Sequence, residues 1–205
     1  MTTAAVDCLI LVDLQAAFLT GPDAVPDAAV LLAAAADLLD RARQARSLVI
    51  HLQNDGAPGT EDEPGTAGWA LYVEPGPGET LIRKATDDGF EGTDLGNILA
   101  ASRIRRLAIT GLLSEMCVSA TARSALHRGL AVVLAHDAHA TYDIPALPGI
   151  APAVPAATVA RVAEWALGDR LELPATGQGV LFTAAPLPGD IAPRDSGSRG
   201  SPHPS

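Results

Sequence analysis

The sequence predicts an α/β fold: a three-layer α/β/α, Rossmann-like arrangement around a parallel six-stranded sheet. Three observations carry this. Short, continuous apolar runs recur along the chain, as expected of strands buried on both faces. Helical stretches separate most of these runs, and alternation of that kind builds a parallel sheet with helices on both sides. The 205 residues, 48% hydrophobic, suffice for one domain with a full core.

The first run, CLILV at 8–12, is the first strand. After the turn GPDAVPD, residues 27–45 read as a helix with Asp27 as N-cap and Leu31, Leu32, Leu38 and Leu39 as its apolar stripe. SLVIHL at 47–52 is the second strand. Residues 54–80 are rich in Gly, Pro and acidic residues and read as a long loop, either functional or mobile. A short strand follows from Thr80 to Arg83, then a helix from Thr93 to Ala101 capped at Thr93 or Asp94. RLAIT at 106–110 is a strand ended by Gly111, and residues 115–128 form a helix stopped by Gly129. LAVVLA at 130–135 is the fifth strand, 155–167 a helix, and RLEL at 170–173 the last strand. The domain is expected to span 1–185. The tail, 186–205, is rich in Pro, Gly and Ser and reads as disordered.

Composition excludes several function classes. A net charge of −10 argues against a nucleic-acid surface and against docking on anionic membranes. No apolar stretch reaches the roughly 18 residues that span a bilayer. The N-terminal run is interrupted by Asp7 and Asp13 and lacks a basic flank, so it reads as a strand and not a signal peptide. Two lone cysteines, Cys8 and Cys117, fit a reducing, cytoplasmic compartment. Cys8 lies inside the first strand and reads as a buried structural thiol. A redox role would need a partner thiol that Cys8 does not offer.

In open α/β sheets, ligands bind beyond the carboxyl ends of the strands. Asp13 follows the first strand, Lys84 the third, and Cys117 the turn after the fourth, at a helix start. Free N–H groups and the dipole at such a start favour thiolate and could hold an oxyanion, so the thiol pKa is expected to be lowered. The competing reading of Cys117 is a buried structural cysteine. Asp13 could orient or deprotonate the thiol, or simply cap the following turn. Lys84 could hold the charged forms, or be a solvated surface lysine. It is, however, the only lysine in a chain whose other basic residues are all arginine.

Three segments, LILVDLQAAF at 9–18, IRKATDDGFEGTDL at 82–95 and ITGLLSEMCVSATARSALHRGLAVVLAHDAHAT at 109–141, resemble the isochorismatase-like cysteine hydrolase superfamily. This group includes nicotinamidases and N-carbamoylsarcosine amidases. The resemblance spans about residues 6–170. It implies that Asp13, Lys84 before Phe90, and Cys117 before Val118 are the catalytic residues. It also implies a non-proline cis peptide joining Leu112 to Leu113, and an oxyanion hole made by the Leu113 and Cys117 amides. The implied reaction is hydrolysis of a C–N bond in a small molecule, an amide, carbamoyl or lactam, through a thioester. Vinyl-ether hydrolysis of the isochorismatase type, or a catalytically idle ligand-binding member, are the alternatives. A homodimer or higher homo-oligomer is implied as well, whose neighbouring subunits can complete the pocket.

Nicotinamidases carry a metal on an Asp and His residues after the second strand. Here that region, HLQNDGAPGTEDEPGTAGW, has only His51, so no metal and no cofactor are expected. His136 and His139 in HDAHATY could shuttle protons, but their place at a strand end favours a structural turn with Asp137 bonding backbone amides. Gln15, Phe18, Trp69 and Tyr142 are candidates for pocket lining, or for simple packing.

Overall fold

The computed structural model describes residues 4–186. The expected tail lies outside the described residues apart from Pro186. Six parallel strands form one sheet: β1 (Cys8–Val12), β2 (Leu48–Asn54), β3 (Thr80–Lys84), β4 (Arg106–Leu112), β5 (Ala131–Ala140) and β6 (Leu171–Glu172). Their spatial order is β3-β2-β1-β4-β5-β6. The chain therefore steps outward from β1 on one side, then returns to continue on the other. The point of reversal lies between β1 and β4, where ligands of open α/β sheets bind. Among the described residues, no helix is long and apolar enough to cross a membrane.

Side chains of a strand alternate between faces. Leu9 and Leu11 of β1 enter one core with Val49, Ala108 and Val133; the long helix α2 (Ala28–Ala45) closes it with Leu31, Leu38 and Leu39. A short turn of helix, α1 (Ala16–Leu19), precedes α2. Cys8, Ile10 and Val12 enter the opposite core with Ile50, Leu52 and Ile109. There α3 (Leu95–Ala101) supplies Leu95 and Leu99, and α4 (Ser119–His127) supplies Ala122, Ala125 and Leu126. The final helix, α5 (Ala156–Leu167), adds Leu167. Alanine lets these helices approach the sheet closely in a chain with few aromatics. Asp27 and Asp94 stand at the N-cap positions of α2 and α3, but neither makes the expected side-chain capping bond.

Two departures from the sequence reading matter for function. The helix expected over 115–128 opens as a π-helical turn, Ser114–Val118, before α4 begins. Leu113 O accepts both the Met116 and the Val118 amides, at 3.1 and 3.2 Å. The strand expected to end at 135 runs on to Ala140, so HDAHA is not a turn. Pairing shifts there: Ile109 lies opposite Leu134, yet Gly111 lies opposite His139. β5 thus bulges, and the bulge is pinned on three sides. Thr110 Oγ donates to Ala138 O at 2.7 Å, the Gly177 amide donates to Asp137 Oδ1 at 2.7 Å, and the His136 amide to Pro174 O at 3.0 Å.

Gly111 occupies the reversal point itself. Its φ is 138°, and a Cβ there would lie 2.0 Å from Val12 O. The Val12 carbonyl cannot yield cheaply, because it belongs to the backbone of a central strand paired with β4. Gly111→Ala is therefore expected to destabilise the fold by about 2–4 kcal/mol, measured as a lowered midpoint in denaturant unfolding. An unchanged midpoint would show that β1 and β4 are not packed this closely.

Candidate active site

Asp13, Lys84 and Cys117 converge at the carboxyl ends of β1, β3 and β4. Asp13 is the first residue after β1 and has a φ of 52°, a left-handed conformation uncommon outside glycine. Its amide still donates to Leu52 O at 3.0 Å, which continues the β1–β2 ladder, while the turn redirects the side chain across the sheet end. Lys84 is the last residue of β3 and its side chain is wholly buried. Its Nζ lies 2.7 Å from Asp13 Oδ2, 3.3 Å from Cys117 Sγ, 3.2 Å from Thr86 O and 3.4 Å from Asn54 Oδ1. Cys117 sits in the π-helical turn, half-buried. The Leu112–Leu113 peptide immediately before this turn is cis.

The loop after β3 places a further residue at the thiol. Asp87 Oδ1 lies 3.6 Å from Cys117 Sγ, within reach of a weak thiol hydrogen bond. The loop is docked on α4 by Gly89, whose amide donates to Thr121 Oγ at 3.0 Å, and by a bond from Ser124 Oγ to Asp88. A Cβ at Gly89 would lie 2.5 Å from Leu52 Cδ1, so a side chain there would require Leu52 to shift. Asp87, Asn54 and Thr86 were not singled out from the sequence. For Asp87 the signal existed, three residues beyond Lys84 in TDDGF; for Asn54 and Thr86 no motif marked the contact.

Electrostatics differ from the helix-start expectation. Burial, followed by the charge of Asp13, pushes the Cys117 thiol pKa well above its ordinary value, against the opposing pull of Lys84. Burial also raises the Asp13 pKa, and its contacts with Lys84 and Cys117 only partly offset this. Burial alone would lower the Lys84 pKa, but the charges of Asp13 and Cys117 outweigh it and leave it raised. Lys84 and Asp13 are in ion-pair contact at 2.7 Å, and the thiol beside them is held toward its neutral form. Asp13 Oδ1 is buried and accepts no hydrogen bond among the described residues.

The four residues proposed for the pocket separate into two groups. Gln15 is fully buried and its amide is spent on backbone. Nε2 donates to Asn54 O and Trp69 O at 3.0 and 3.1 Å, and Oε1 accepts the Asn54 amide at 2.9 Å. It clamps the long loop to β2. Trp69 shares in this scaffold: its backbone O is held by Gln15 and Gln53, its indole donates to Asp55 Oδ1 at 3.0 Å, and Arg83 stacks on its ring. Phe18 and Tyr142 instead pack, half-buried, on the margin of the same core face as Leu113. His51 is buried in β2 and lies 2.8 Å from Glu79. Cys8 is fully buried.

Comparison with known proteins places the sequence and fold among relatives. Residues 7–146 match the family model of the isochorismatase domain. The chain is 58% identical over 185 residues to a streptothricin hydrolase of Streptomyces noursei, covering 89% of this chain and 73% of the relative. A solved isochorismatase of Pseudomonas putida KT2440 superposes with a TM-score of 0.78 at 28% identity, covering 85% of this chain and 90% of that one. An N-carbamoylsarcosine amidase of Thermoplasma acidophilum superposes with a TM-score of 0.63 at 27% identity, covering 67% and 86%.

The charge balance has a direct readout in alkylation, which requires thiolate. At pH 7, Cys117 is expected to react with iodoacetamide more slowly than a free thiol. Asp13→Asn removes a charge that raises the thiol pKa, so it should speed labelling; Lys84→Met removes one that lowers it and should slow labelling. Labelling rates followed by mass spectrometry check the signs, and slower labelling of Asp13→Asn would contradict the assignment.

Proposed function

The chain belongs to the isochorismatase family, and on that premise we propose that it is a cysteine hydrolase opening a C–N bond of a small molecule through a thioester. The observation that carries this reading is Lys84 Nζ, which touches Asp13 Oδ2 at 2.7 Å and Cys117 Sγ at 3.3 Å in a buried cluster. A nucleophile, a base and a fixed positive charge thereby share one point.

The roles follow from the charges. The raised thiol pKa means that the proton leaves Cys117 only as the sulfur attacks a carbonyl carbon. Asp13 receives that proton, and its own raised pKa makes it a stronger base than an ordinary carboxylate. Lys84 remains protonated and offsets the negative charge on whichever partner holds it. The carbonyl oxygen becomes an oxyanion, for which the Leu113 and Cys117 amides are the proposed donors. Collapse breaks the C–N bond, and the amine leaves with the proton held by Asp13. Water then gives its proton to Asp13 and attacks the thioester, releasing the acid and restoring the thiol. The vinyl-ether alternative gives this thiol nothing to do.

Streptothricin is the first compound to test, since a relative of 58% identity is named for its hydrolysis. Amides, carbamoyl compounds and lactams complete the set, and Phe18 and Tyr142 are the side chains proposed to contact them. Product carrying one added water is expected by mass spectrometry. Cys117→Ser should abolish it, and Asp13→Asn should lower kcat by about 10²–10⁴-fold. In wild type, kcat/KM should rise with pH through a limb above the ordinary carboxylate range, because Asp13 must be ionised and its pKa is raised. Turnover undiminished in Cys117→Ser would overturn the mechanism.

A further inference from the structure

The β5 bulge brings together three side chains that the mechanism above does not use. His136 and His139 are three residues apart, a spacing that puts side chains on opposite faces of a regular strand. The extra residues of β5 between Leu134 and His139 cancel this, and both imidazoles meet Glu164 of α5. Glu164 Oε1 lies 2.5 Å from His136 Nδ1 and 3.1 Å from His139 Nε2. The three potential ligand atoms all lie within 4.8 Å of one another.

Each outer polar atom of the two buried members is already held. Ser114 Oγ lies 2.8 Å from His139 Nδ1, and Arg161 Nη1 lies 3.4 Å from Glu164 Oε2. Glu164 Oε1, His139 Nε2 and His136 Nδ1 are engaged only with one another. The His139 and Glu164 side chains are wholly buried, whereas that of His136 is 53% exposed. The cluster therefore opens to solvent on one side, where water could complete a coordination shell.

We propose that His136, His139 and Glu164 form a binding site for a divalent transition ion of the zinc, cobalt or nickel class. Two imidazoles and one carboxylate are the donor set these ions take, and it is unsuited to magnesium or calcium, which prefer oxygen alone. Ligands about 2.0–2.1 Å from one ion lie about 3.3 Å apart in a tetrahedral site. The His139–Glu164 distance of 3.1 Å is already of that order, and the exposed His136, now 2.5 Å from Glu164, can move outward to admit the ion. Ion binding would fix the tautomer of neutral His139: Nε2 would coordinate through its lone pair, and the single ring proton on Nδ1 would donate to Ser114 Oγ. Ser114 is the first residue of the turn that carries Cys117. The site is thus a fastening of β5 to α5 and to that turn, separate from the reacting atoms. The metal-free expectation rested on the loop after β2, and this cluster lies elsewhere; the proposal stands independently of the reaction assigned to Cys117.

The test uses the full-length, untagged, chelator-treated protein, titrated with Zn²⁺ by calorimetry and with Co²⁺ by visible absorption. One equivalent is expected to bind, with d–d bands for Co²⁺ and no competition from Mg²⁺. Binding should persist in Cys117→Ser. It should weaken at least about tenfold in His136→Ala, a surface substitution that leaves the fold intact, and likewise in Glu164→Gln. Absence of saturable binding below about 100 µM, or binding unchanged by His136→Ala, overturns the proposal. Loss of binding in Cys117→Ser does so too, since it would place the ion on the active-site thiol.

Discussion

The ammonium of Lys84, sealed from water, is the constraint around which the site is organised. A cation taken out of water is costly unless paired and hydrogen-bonded on every side. Lys84 meets this with acceptors from four separate pieces of chain: Asp13 after β1, Asn54 at the end of β2, Thr86 in its own following loop, and Cys117 beyond β4. Removing any one leaves the charge less compensated. The same contacts that make the lysine tolerable therefore fix the relative positions of acid and thiol.

That convergence depends on topology. β1 lies within the sheet with β2 and then β3 on one side and β4 on the other, so the ends of these four strands face a single crevice. Two local conformations turn this into a site. Asp13 takes a positive φ and swings its carboxylate over the strand ends, and Gly111 allows β4 to approach the Val12 carbonyl. Both lie at the point of reversal, where backbone irregularity serves function more than stability.

Continuous apolar runs made the sheet readable from the sequence. β1 occupies the expected residues 8–12, because a strand buried along its whole length is a continuous apolar run, and β3 and β4 begin where expected. The same runs marked Asp13, Lys84 and Cys117 as the polar residues just beyond them. What stayed hidden depended on contacts across the fold. A helix start suggested a lowered thiol pKa, but burial and the Asp13 charge reverse the sign. HDAHA looked like a turn because its polar residues broke the apolar run, yet Thr110, Gly177 and Pro174 hold it as a bulged strand. Gln15 looked available to a ligand from its place after Asp13, but its partners, Asn54 and Trp69, are far away in sequence.

The nucleophile turn shows why such distant contacts matter. A π-helical turn of five residues has little stability of its own. Here Ser114 at its start is held through its hydroxyl by His139 and through its carbonyl by Ser119, while Cys117 near its end is held by Lys84. One anchor comes from β5 and the other from β3, on opposite sides of the β1–β4 crevice. The thiol is therefore positioned by the sheet as a whole and not by its own turn. A change to the bulge in β5 would move the nucleophile without touching any residue that meets the substrate.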